Sequence, residues 1–469
     1  MLKFTLIIVF LIINLGLINS FRLNPLLIKE FTPIKKEIKK NIKIEDNNKE
    51  IIRKVNGFYG LIGPSPKYYK NTDDYHLFDG NGMIQGIFID NDNITYVNHW
   101  IRTDKYKYEN IIKSKLPIRM DNMFKIENLI KMPFFMLLQK LNLFPNFMGT
   151  ANTALWESCK EDIIYALHER DKPYKIKLDY KNKEIKTLGK ENINLNYFSA
   201  HPKRFLNETL VCIYNTFYAE VELIKLDNKM RIIEKSKIKT DYINMIHDII
   251  ISEEYIIIYD TPFNFEIKRV NNKELPFFFD KEKNNKILLI NKISKDVKKI
   301  ECNESFFVFH NSKVEEDDNK IYIDVILHKN FDIMLDDSIN NRNSKFVKLV
   351  IDKLDLSYKF EVYKELEEYN VEFPIYNNDY NVLSVFGEFL NIDGLLILKE
   401  GIIIKKIFIE DRKLYGEPSL TDSNCIICYT YDNKLNSYLY IYDIDENKSL
   451  EIKLETKMIK GFHSIFLGK

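Results

Sequence analysis

The sequence contains few cysteines and no excess of charge of either sign. Its five cysteines are an odd number spread over 469 residues, which is a poor basis for a disulfide framework. The 69 Lys and Arg residues nearly balance the 68 Asp and Glu residues, so the chain has neither a basic field for nucleic acid nor an acidic solvating tail. We therefore expect no nucleic-acid partner.

Cys425 and Cys428 form a C-x-x-C pair, but no second pair is present to complete a zinc site. The flanking Ile426, Ile427 and Tyr429 indicate a strand, on which residues three positions apart point to opposite faces. We predict that both thiols are small core side chains rather than metal or redox ligands.

The amino terminus carries a short apolar run. It extends from Phe4 to Leu17 and is short for a bilayer crossing, so it predicts a signal peptide over residues 1–20, with an uncleaved anchor as the alternative. Residues 21–51 are predicted to be a disordered or transit-like leader, which resembles the leaders of complex plastids that begin with a Phe such as Phe21. Two destinations stay open: a complex plastid, or the endomembrane system and the exterior.

From about residue 56 onward the chain alternates short β-rich runs with polar turns. One example is the run 86–90, which is separated from the run 94–97 by Asn91, Asp92 and Asn93, as in a β-hairpin. Similar runs recur to residue 443, and together they predict an all-β protein. The pattern is compatible with a β-propeller, although no crisp repeat marks the blades.

Histidine is also scarce, with eight residues in the chain. Four of them follow apolar residues in strand-like or turn segments and are separated by tens of residues. In a propeller, the inner strands of separate blades meet near the central axis, where such side chains can converge on one metal ion. Neutral imidazoles suit iron, copper or zinc. The four residues are His201, His247, His310 and His463.

Short motifs along nearly the whole chain resemble the carotenoid cleavage oxygenase family. They are the segment 56–66, the box 76–84 that is similar to FDGDGM, the strand 96–103, the T-A-N box at 150–155, and the residues around the four histidines. The resemblance implies that residues 52–469 form a single catalytic domain, a seven-bladed β-propeller with a helical cap over the top face. It also implies one iron(II) per chain, bound by His201, His247, His310 and His463.

The resemblance further implies three glutamates behind the iron ligands: Glu169, Glu372 and Glu417. A carboxylate that accepts the second ring N–H of a ligand histidine orients the ring and balances the metal's charge. We assign the remaining histidines, His76, His99, His168 and His328, to structural roles. The chain departs from the family pattern at Asn81, at Lys313 and Val314, at Ser464 and in the loop after Glu417, but none of these changes removes a ligand.

The function implied by the resemblance is that of an iron(II)-dependent dioxygenase. It would use O₂ to cleave one double bond of a carotenoid or apocarotenoid into two carbonyl products. One alternative is a redox-neutral polyene isomerase or isomerohydrolase, in which the same iron acts as a Lewis acid. The other is a propeller that binds an apolar ligand without catalysis.

The segment 132–145 interrupts the β pattern and can form about two to three helical turns between its two prolines. We predict that it contacts a membrane peripherally and admits the insoluble substrate, with Lys131 and Lys140 at the headgroups. An internal plug is the alternative. The predicted membrane-contact residues are Phe134, Phe135, Leu137, Leu138 and Phe144.

Overall fold

A computed structural model of the chain describes residues 32–44, 49–68, 77–91, 93–119, 122–123, 126–215, 218–266, 268–269, 277–329, 344–377, 379–387 and 391–469. The predicted signal peptide and the start of the predicted leader lie outside these residues, as does His76.

The strands are numbered here in chain order. The first sixteen are β1 (Lys39–Ile42), β2 (Gly57–Pro64), β3 (Gly82–Asp90), β4 (Asn93–Trp100), β5 (Ala154–Glu157), β6 (Ile163–Leu167), β7 (Tyr174–Asp179), β8 (Glu184–Lys190), β9 (Lys203–Phe205), β10 (Glu208–Tyr214), β11 (Glu220–Asp227), β12 (Ile232–Lys239), β13 (Ile250–Ile251), β14 (Tyr255–Asp260), β15 (Phe263–Phe265) and β16 (Phe277–Phe279).

The remaining strands are β17 (Lys286–Asn291), β18 (Val297–Glu301), β19 (Asn311–Glu316), β20 (Lys320–His328), β21 (Ser344–Asp352), β22 (Tyr358–Val362), β23 (Val371–Tyr376), β24 (Asn381–Phe386), β25 (Ile392–Lys399), β26 (Ile402–Ile407), β27 (Arg412–Leu414), β28 (Ser419–Leu420), β29 (Cys425–Asp432), β30 (Ser437–Asp443), β31 (Lys448–Lys453) and β32 (Ser464–Gly468). The helices are α1 (Lys49–Arg53), α2 (Asp104–Ile112) and α3 (Ile126–Lys140), with short 3₁₀ turns at Leu77–Asp79 and Lys364–Leu366.

The strands form antiparallel sheets that follow one another along the chain, so the all-β prediction is confirmed. Sheet 1 has the order β1-β4-β3-β2-β32, sheet 2 is β5 to β8, sheet 3 is β9 to β12, sheet 4 is β13-β14-β17-β18, and sheet 5 is β19 to β22. The nine strands from β23 to β31 make one larger sheet, in which a single residue pair, Ile392 with Leu414, connects β25 to β27. We call its two parts sheet 6 (β23 to β26) and sheet 7 (β27 to β31).

The central strands of these sheets are buried on both faces, because hydrophobic clusters lie between consecutive sheets. Side chains alternate across a strand, so the neighbouring residues Phe58 and Tyr59 of sheet 1 enter different clusters. Phe58 packs against sheet 2, whereas Tyr59 packs against sheet 7 near Tyr429. Further clusters join sheets 2 and 3, 3 and 4, 4 and 5, 5 and 6, and 6 and 7. Sheet 7 therefore packs back against sheet 1.

Sheet 1 brings together the two ends of the described chain. The C-terminal strand β32 pairs with β2 from Gly57 to Leu61, while β1 pairs with β4 and forms the opposite edge of the sheet. Gly57 has a φ of 139° and no space for a Cβ, which would lie 2.0 Å from the carbonyl oxygen of Leu467. β1 falls inside residues 21–51, which the sequence analysis assigned to a leader, so the folded part begins earlier than residue 52.

The two cysteines of the C-x-x-C pair occupy opposite faces of β29, as predicted. Cys425 lies in the cluster between sheets 7 and 1, and Cys428 lies in the cluster between sheets 6 and 7. Burial raises the pKa of the Cys425 thiol to about 11 and raises that of Cys428 further. All five cysteines are free.

The predicted apolar helix is longer than the interval between its two prolines. Helix α3 begins at Ile126, passes through Pro133 and ends at Lys140. The helical turns expected between Pro133 and Pro145 are therefore only the second part of α3, because a proline removes one helix hydrogen bond without preventing helix on either side of it. No helix among the described residues is both long enough and apolar enough to cross a membrane.

Candidate metal centre

Four histidines lie just before the edge strands of four different sheets. His310 and His463 directly precede β19 and β32, while His201 is two residues before β9 and His247 is three residues before β13. These strands are the terminal members of sheets 5, 1, 3 and 4. The same position in each sheet therefore supplies one imidazole to a common point, where His310 and His463 are buried, His247 is largely buried and His201 is half-buried.

The Nε2 atoms of the four histidines converge. The Nε2 of His201 lies 3.0 Å from that of His247 and 3.1 Å from that of His463. The Nε2 of His463 also lies 3.4 Å from that of His247 and 3.3 Å from that of His310. One ligand atom from each of the four residues lies within 4.8 Å of all the others. The structure thus brings together the four histidines selected from the sequence.

Three glutamates contact the outer nitrogen of three of these rings. The Nδ1 of His247 is 2.7 Å from Glu169 Oε1, that of His310 is 2.5 Å from Glu372 Oε2, and that of His463 is 3.2 Å from Glu417 Oε2. A carboxylate accepts a hydrogen bond, so each of these rings carries a proton on Nδ1 and turns Nε2 towards the other histidines. Among the described residues, no carboxylate contacts Nδ1 of His201.

The pKa shifts follow from burial and from these contacts. Burial, aided by the neighbouring imidazoles, holds the pKa of His201 well below its usual value, and burial also lowers that of His463. Burial raises the pKa of Glu169, but its hydrogen bond to His247 outweighs burial and brings the pKa to about 2. Burial lowers the pKa of His310, but Glu372 outweighs it and raises that pKa. These pKa shifts keep His201 and His463 neutral and Glu169 ionised, and they favour the protonated form of His310.

The two carboxylate oxygens of Glu372 contact two different histidines. While Oε2 faces His310, Oε1 is 2.7 Å from the Nε2 of His328, a buried residue at the end of β20. From the sequence we assign His328 only a structural role. No local motif marks it, since Glu372 is 44 residues away in the chain and the contact forms only in the folded protein.

An aromatic wall lies beside the histidines. The ring of Phe373 is centred 5.5 Å from that of His310 and 5.2 Å from that of His463, and the ring of Phe309 is centred 5.9 Å from that of His247. Phe373 has a φ of 51°, which is unusual for a residue with a side chain and costs on the order of 1 kcal/mol. This backbone turn, at a bulge of β23, lets Glu372 and Phe373 both approach the cluster.

Two of the histidines assigned structural roles, His99 and His168, contact protein groups outside the four-histidine cluster. His99 contacts Thr187 Oγ1 at 3.0 Å and Glu37 Oε1 at 3.3 Å, whereas the Nδ1 of His168 accepts a hydrogen bond from the backbone N–H of Arg170. Burial lowers the pKa of each to about 4. Both are therefore neutral side chains held by protein groups.

The residues that depart from the family pattern fit their surroundings. The amide of Asn81 is buried and donates to Glu109, so an aspartate there would set two carboxylates against each other. The backbone N–H of Ser464 donates to Glu417 Oε2, and its hydroxyl contacts Ser419. Lys313 pairs with Glu315.

The predicted membrane-contact residues fall on two faces of α3 and the turn after it. Phe134 and Leu137 are 59% and 53% exposed. Phe135 and Leu138 are partly buried against a small cluster that contains Phe144 and Phe147. Phe144 is only 6% exposed, so the prediction that it contacts a membrane was wrong: it anchors the turn below the helix.

The family model described as retinal pigment epithelial membrane protein matches residues 31–384. The chain therefore belongs to this family, that of the carotenoid cleavage oxygenases. The resemblance stated from the sequence motifs is thus confirmed.

Three relatives illustrate the range of similarity. Carotenoid 9,10(9′,10′)-cleavage dioxygenase 1 of Pisum sativum is 29% identical over 343 residues, which are 70% of this chain and 62% of that protein. Its Arabidopsis thaliana namesake is 26% identical over 460 residues, which are 88% of this chain and 84% of that one. A probable carotenoid cleavage dioxygenase 4, chloroplastic, of Arabidopsis thaliana is 31% identical over 160 residues, 32% of this chain and 26% of that one. The chain thus spans less than two thirds of the pea relative.

Solved structures share the fold. Cobalt-substituted ACO of Synechocystis superposes with a TM-score of 0.74 at 16% identity, covering 96% of this chain and all of that one. Pseudomonas brassicacearum lignostilbene dioxygenase superposes with a TM-score of 0.73 at 17% identity, covering 96% of this chain and 99% of that one. At such low identity, these likenesses show the fold alone.

Proposed function

We propose that this protein is an iron(II)-dependent dioxygenase that cleaves a double bond of a carotenoid or apocarotenoid to two carbonyl products. The observation that carries the proposal is the convergence of four histidine Nε2 atoms, three of them with a carboxylate on the opposite ring nitrogen. The relatives named carotenoid cleavage dioxygenases support the choice of substrate class.

The donor set fits a divalent transition metal. Two imidazole nitrogens bound at about 2.1 Å and at right angles lie about 3 Å apart, which matches the 3.0 and 3.1 Å distances from His201. His247, His310 and His463 each point Nδ1 at a carboxylate, so Nε2 is the ring nitrogen left to bind a cation. His201, His247, His310 and His463 would hold the metal.

The protein groups around this centre have separable tasks. Bound iron(II) would supply the O₂ chemistry that the side chains lack. Three carboxylates accept hydrogen bonds from Nδ1 of three rings and thereby fix the orientation of those rings: Glu169, Glu372 and Glu417. Phe309 and Phe373 make one side of the centre apolar and aromatic, which suits a flat conjugated polyene and excludes water from it.

The architecture we propose for this activity is a seven-bladed propeller, residues 52–469 together with β1, capped on its top face by helices. Its support is the sequence of sheets 1 to 7, with a hydrophobic cluster between each consecutive pair and between sheets 7 and 1. In a closed ring of this kind, the inner edge strands face the axis. The edge strands after the four histidines are then the inner ones.

Two alternatives use the same site. The family also fits a redox-neutral isomerase or isomerohydrolase, and an apolar-ligand-binding propeller needs no metal. Three carboxylates, one buried and two half-buried, hold three imidazoles, and this arrangement favours a working metal over simple binding because removing charges from water is costly.

The test uses the chain without residues 1–31, which keeps β1, purified and loaded with Fe²⁺. We expect about one iron per chain, and with ¹⁸O₂ and an apocarotenoid we expect label in both carbonyl products. His247→Ala is expected to lower both iron content and cleavage. Isomerised substrate without label would establish the first alternative, and apolar-ligand binding by a metal-free protein that never takes up iron would establish the second.

We also propose that α3 rests on a membrane and that the protein reaches a plastid or the endomembrane system through its N-terminal signal. Ile130, Phe134, Leu137 and Leu141 follow the spacing of one helix face, and each is between 47% and 59% exposed. The chloroplastic relative supports the plastid. Microscopy of the full chain fused to a fluorescent protein distinguishes the two compartments.

A further inference from the structure

One buried carboxylate outside the glutamate set connects three of the histidine-bearing segments. Asp248, the residue after His247, is 8% exposed and has all of its hydrogen-bonding capacity occupied by neighbouring segments. No hydrogen bond joins Asp248 to any of the four imidazoles, so its role differs from that of the glutamates.

The partners of Asp248 lie on two other sheets and on its own segment. Its Oδ1 lies 2.6 Å from the Nζ of Lys203, the first residue of β9, and accepts the backbone N–H of Ile249 at 2.9 Å. Its Oδ2 accepts the backbone N–H of Asn311, the first residue of β19, at 3.1 Å and the side-chain amide of Asn311 at 3.2 Å. Asn311 is held in turn by the hydroxyl of Tyr259.

Each partner is adjacent or nearly adjacent to a candidate ligand. Lys203 is two residues after His201, Asp248 directly follows His247, and Asn311 directly follows His310. The fourth segment is fastened separately, because Glu417 Oε2 accepts the backbone N–H of Ser464, next to His463. The glutamates orient imidazole rings, whereas Asp248 links the three chain segments that carry His201, His247 and His310.

The link through Asp248 matters most for His201. The other three rings are oriented by carboxylates, but no carboxylate among the described residues contacts the Nδ1 of His201. The backbone N–H of His201 donates to Ser199 Oγ at 3.1 Å within its own loop. The Lys203 to Asp248 ion pair links the His201 segment to the segment of His247.

We propose that Asp248 is a positioning residue that sets the spacing of His201, His247 and His310, and that Lys203 and Asn311 are its fixed partners. The inference rests on the proposed metal site. A rigid carboxylate with four donors resists separation of the segments, because pulling any one away leaves a buried charge with an unmade hydrogen bond. The three histidines are then held near their metal-bound spacing before a metal arrives.

The experiment compares Asp248→Asn with a matched control, Glu316→Gln. Glu316 is also buried: it accepts from Lys353 Nζ at 3.0 Å and from the backbone N–H of Glu254 at 3.0 Å, thereby joining sheets 4 and 5 without contacting a histidine. Each change replaces one carboxylate oxygen by an amide that cannot accept. Both variants are expected to lose similar thermal stability as metal-free proteins.

The readout is binding of Co²⁺ alone, followed by its visible d–d absorption. We expect Asp248→Asn to weaken Co²⁺ binding about tenfold and to alter the spectrum, and Glu316→Gln to change neither. Lys203→Met, which removes one partner and leaves the carboxylate, is expected to weaken binding by a smaller factor and serves if Asp248→Asn fails to fold.

Three results would overturn the inference. Wild-type affinity in both Asp248→Asn and Lys203→Met shows that the link through Asp248 does not set the ligand spacing. Equal weakening in Glu316→Gln shows a general loss of stability. A wild-type protein that binds no Co²⁺ removes the metal site itself, and with it the proposed function, whereas the first two results leave that function standing.

Discussion

At the scale of single residues, His328 supports the four-histidine centre through its contact with Glu372. Glu372 lies between His310 and His328, so removal of His328 leaves one oxygen of a buried carboxylate without a donor. We expect His328→Leu to lower the rate of polyene cleavage about tenfold at equal iron content, and His328→Gln, whose amide can donate to Glu372, to restore part of it.

The matched control for this residue is His99→Gln. His99 is also largely buried and hydrogen-bonded, but its partners are Thr187 and Glu37, which lie away from the four histidines. Its cleavage rate should stay within about twofold of the wild type. A rate for His328→Leu that equals the rate for His99→Gln would show that the contact with Glu372 is only structural.

At the scale of elements, substitutions on the two faces of α3 should have opposite effects on liposome binding and on the melting temperature. Phe134 and Leu137 are exposed, so Ser at both positions should reduce binding to liposomes by about tenfold or more while the melting temperature stays unchanged. Phe135 and Leu138 pack against the cluster of Phe144, where each buried side chain contributes about 1.5–3 kcal/mol at full burial. Ser at these two positions should lower the melting temperature by several degrees.

Liposome flotation and calorimetry on the two double variants decide between the membrane and plug hypotheses. If the Phe134 and Leu137 variant floats with liposomes as the wild type does, α3 is not the membrane contact. Turnover of a detergent-solubilised apocarotenoid should be the same in that variant and the wild type, because the helix face is not part of the metal centre.

At the scale of the whole molecule, the terminal strands β1 and β32 occupy opposite edges of sheet 1 and should not be equivalent. β32 pairs with β2 and follows His463, so deletion of residues 464–469 removes five residue pairs and the contact of Ser464 with Glu417. We expect that deletion to abolish both cooperative unfolding and Co²⁺ binding. β1 lies at the far edge, and deletion of residues 1–43 should lower the melting temperature by a few degrees while Co²⁺ binding persists.

Calorimetry and Co²⁺ titration of the two truncated chains test this difference. Residues 32–38 contribute too, since Glu37 pairs with Arg102 and accepts the backbone N–H of Trp100. Deletion of residues 1–31, which removes neither strand, is the control. Similar losses of Co²⁺ binding in both truncations would contradict the distinction between the two edges.

The sequence by itself determined the fold class and the four histidines. Period-two runs of Ile, Tyr and Phe specify strands because side chains alternate across a sheet, and the same rule placed Cys425 and Cys428 on opposite faces. The histidines were found through motifs around each one, since their chain separations hold no local signal. The glutamates likewise depended on short motifs, and all three contact a histidine in the structure.

Tertiary structure alone decided the contacts between residues far apart in the chain. Glu372 meets His328 across 44 residues, and Asp248 meets Asn311 across 63, only because consecutive sheets pack face to face. It also decided which apolar residues of α3 and its turn are exposed: Phe134 and Phe144 look alike in a hydrophobic segment, yet one faces outward and the other is buried. Composition records that a side chain is apolar, but burial depends on what packs against it, and that is set by the fold.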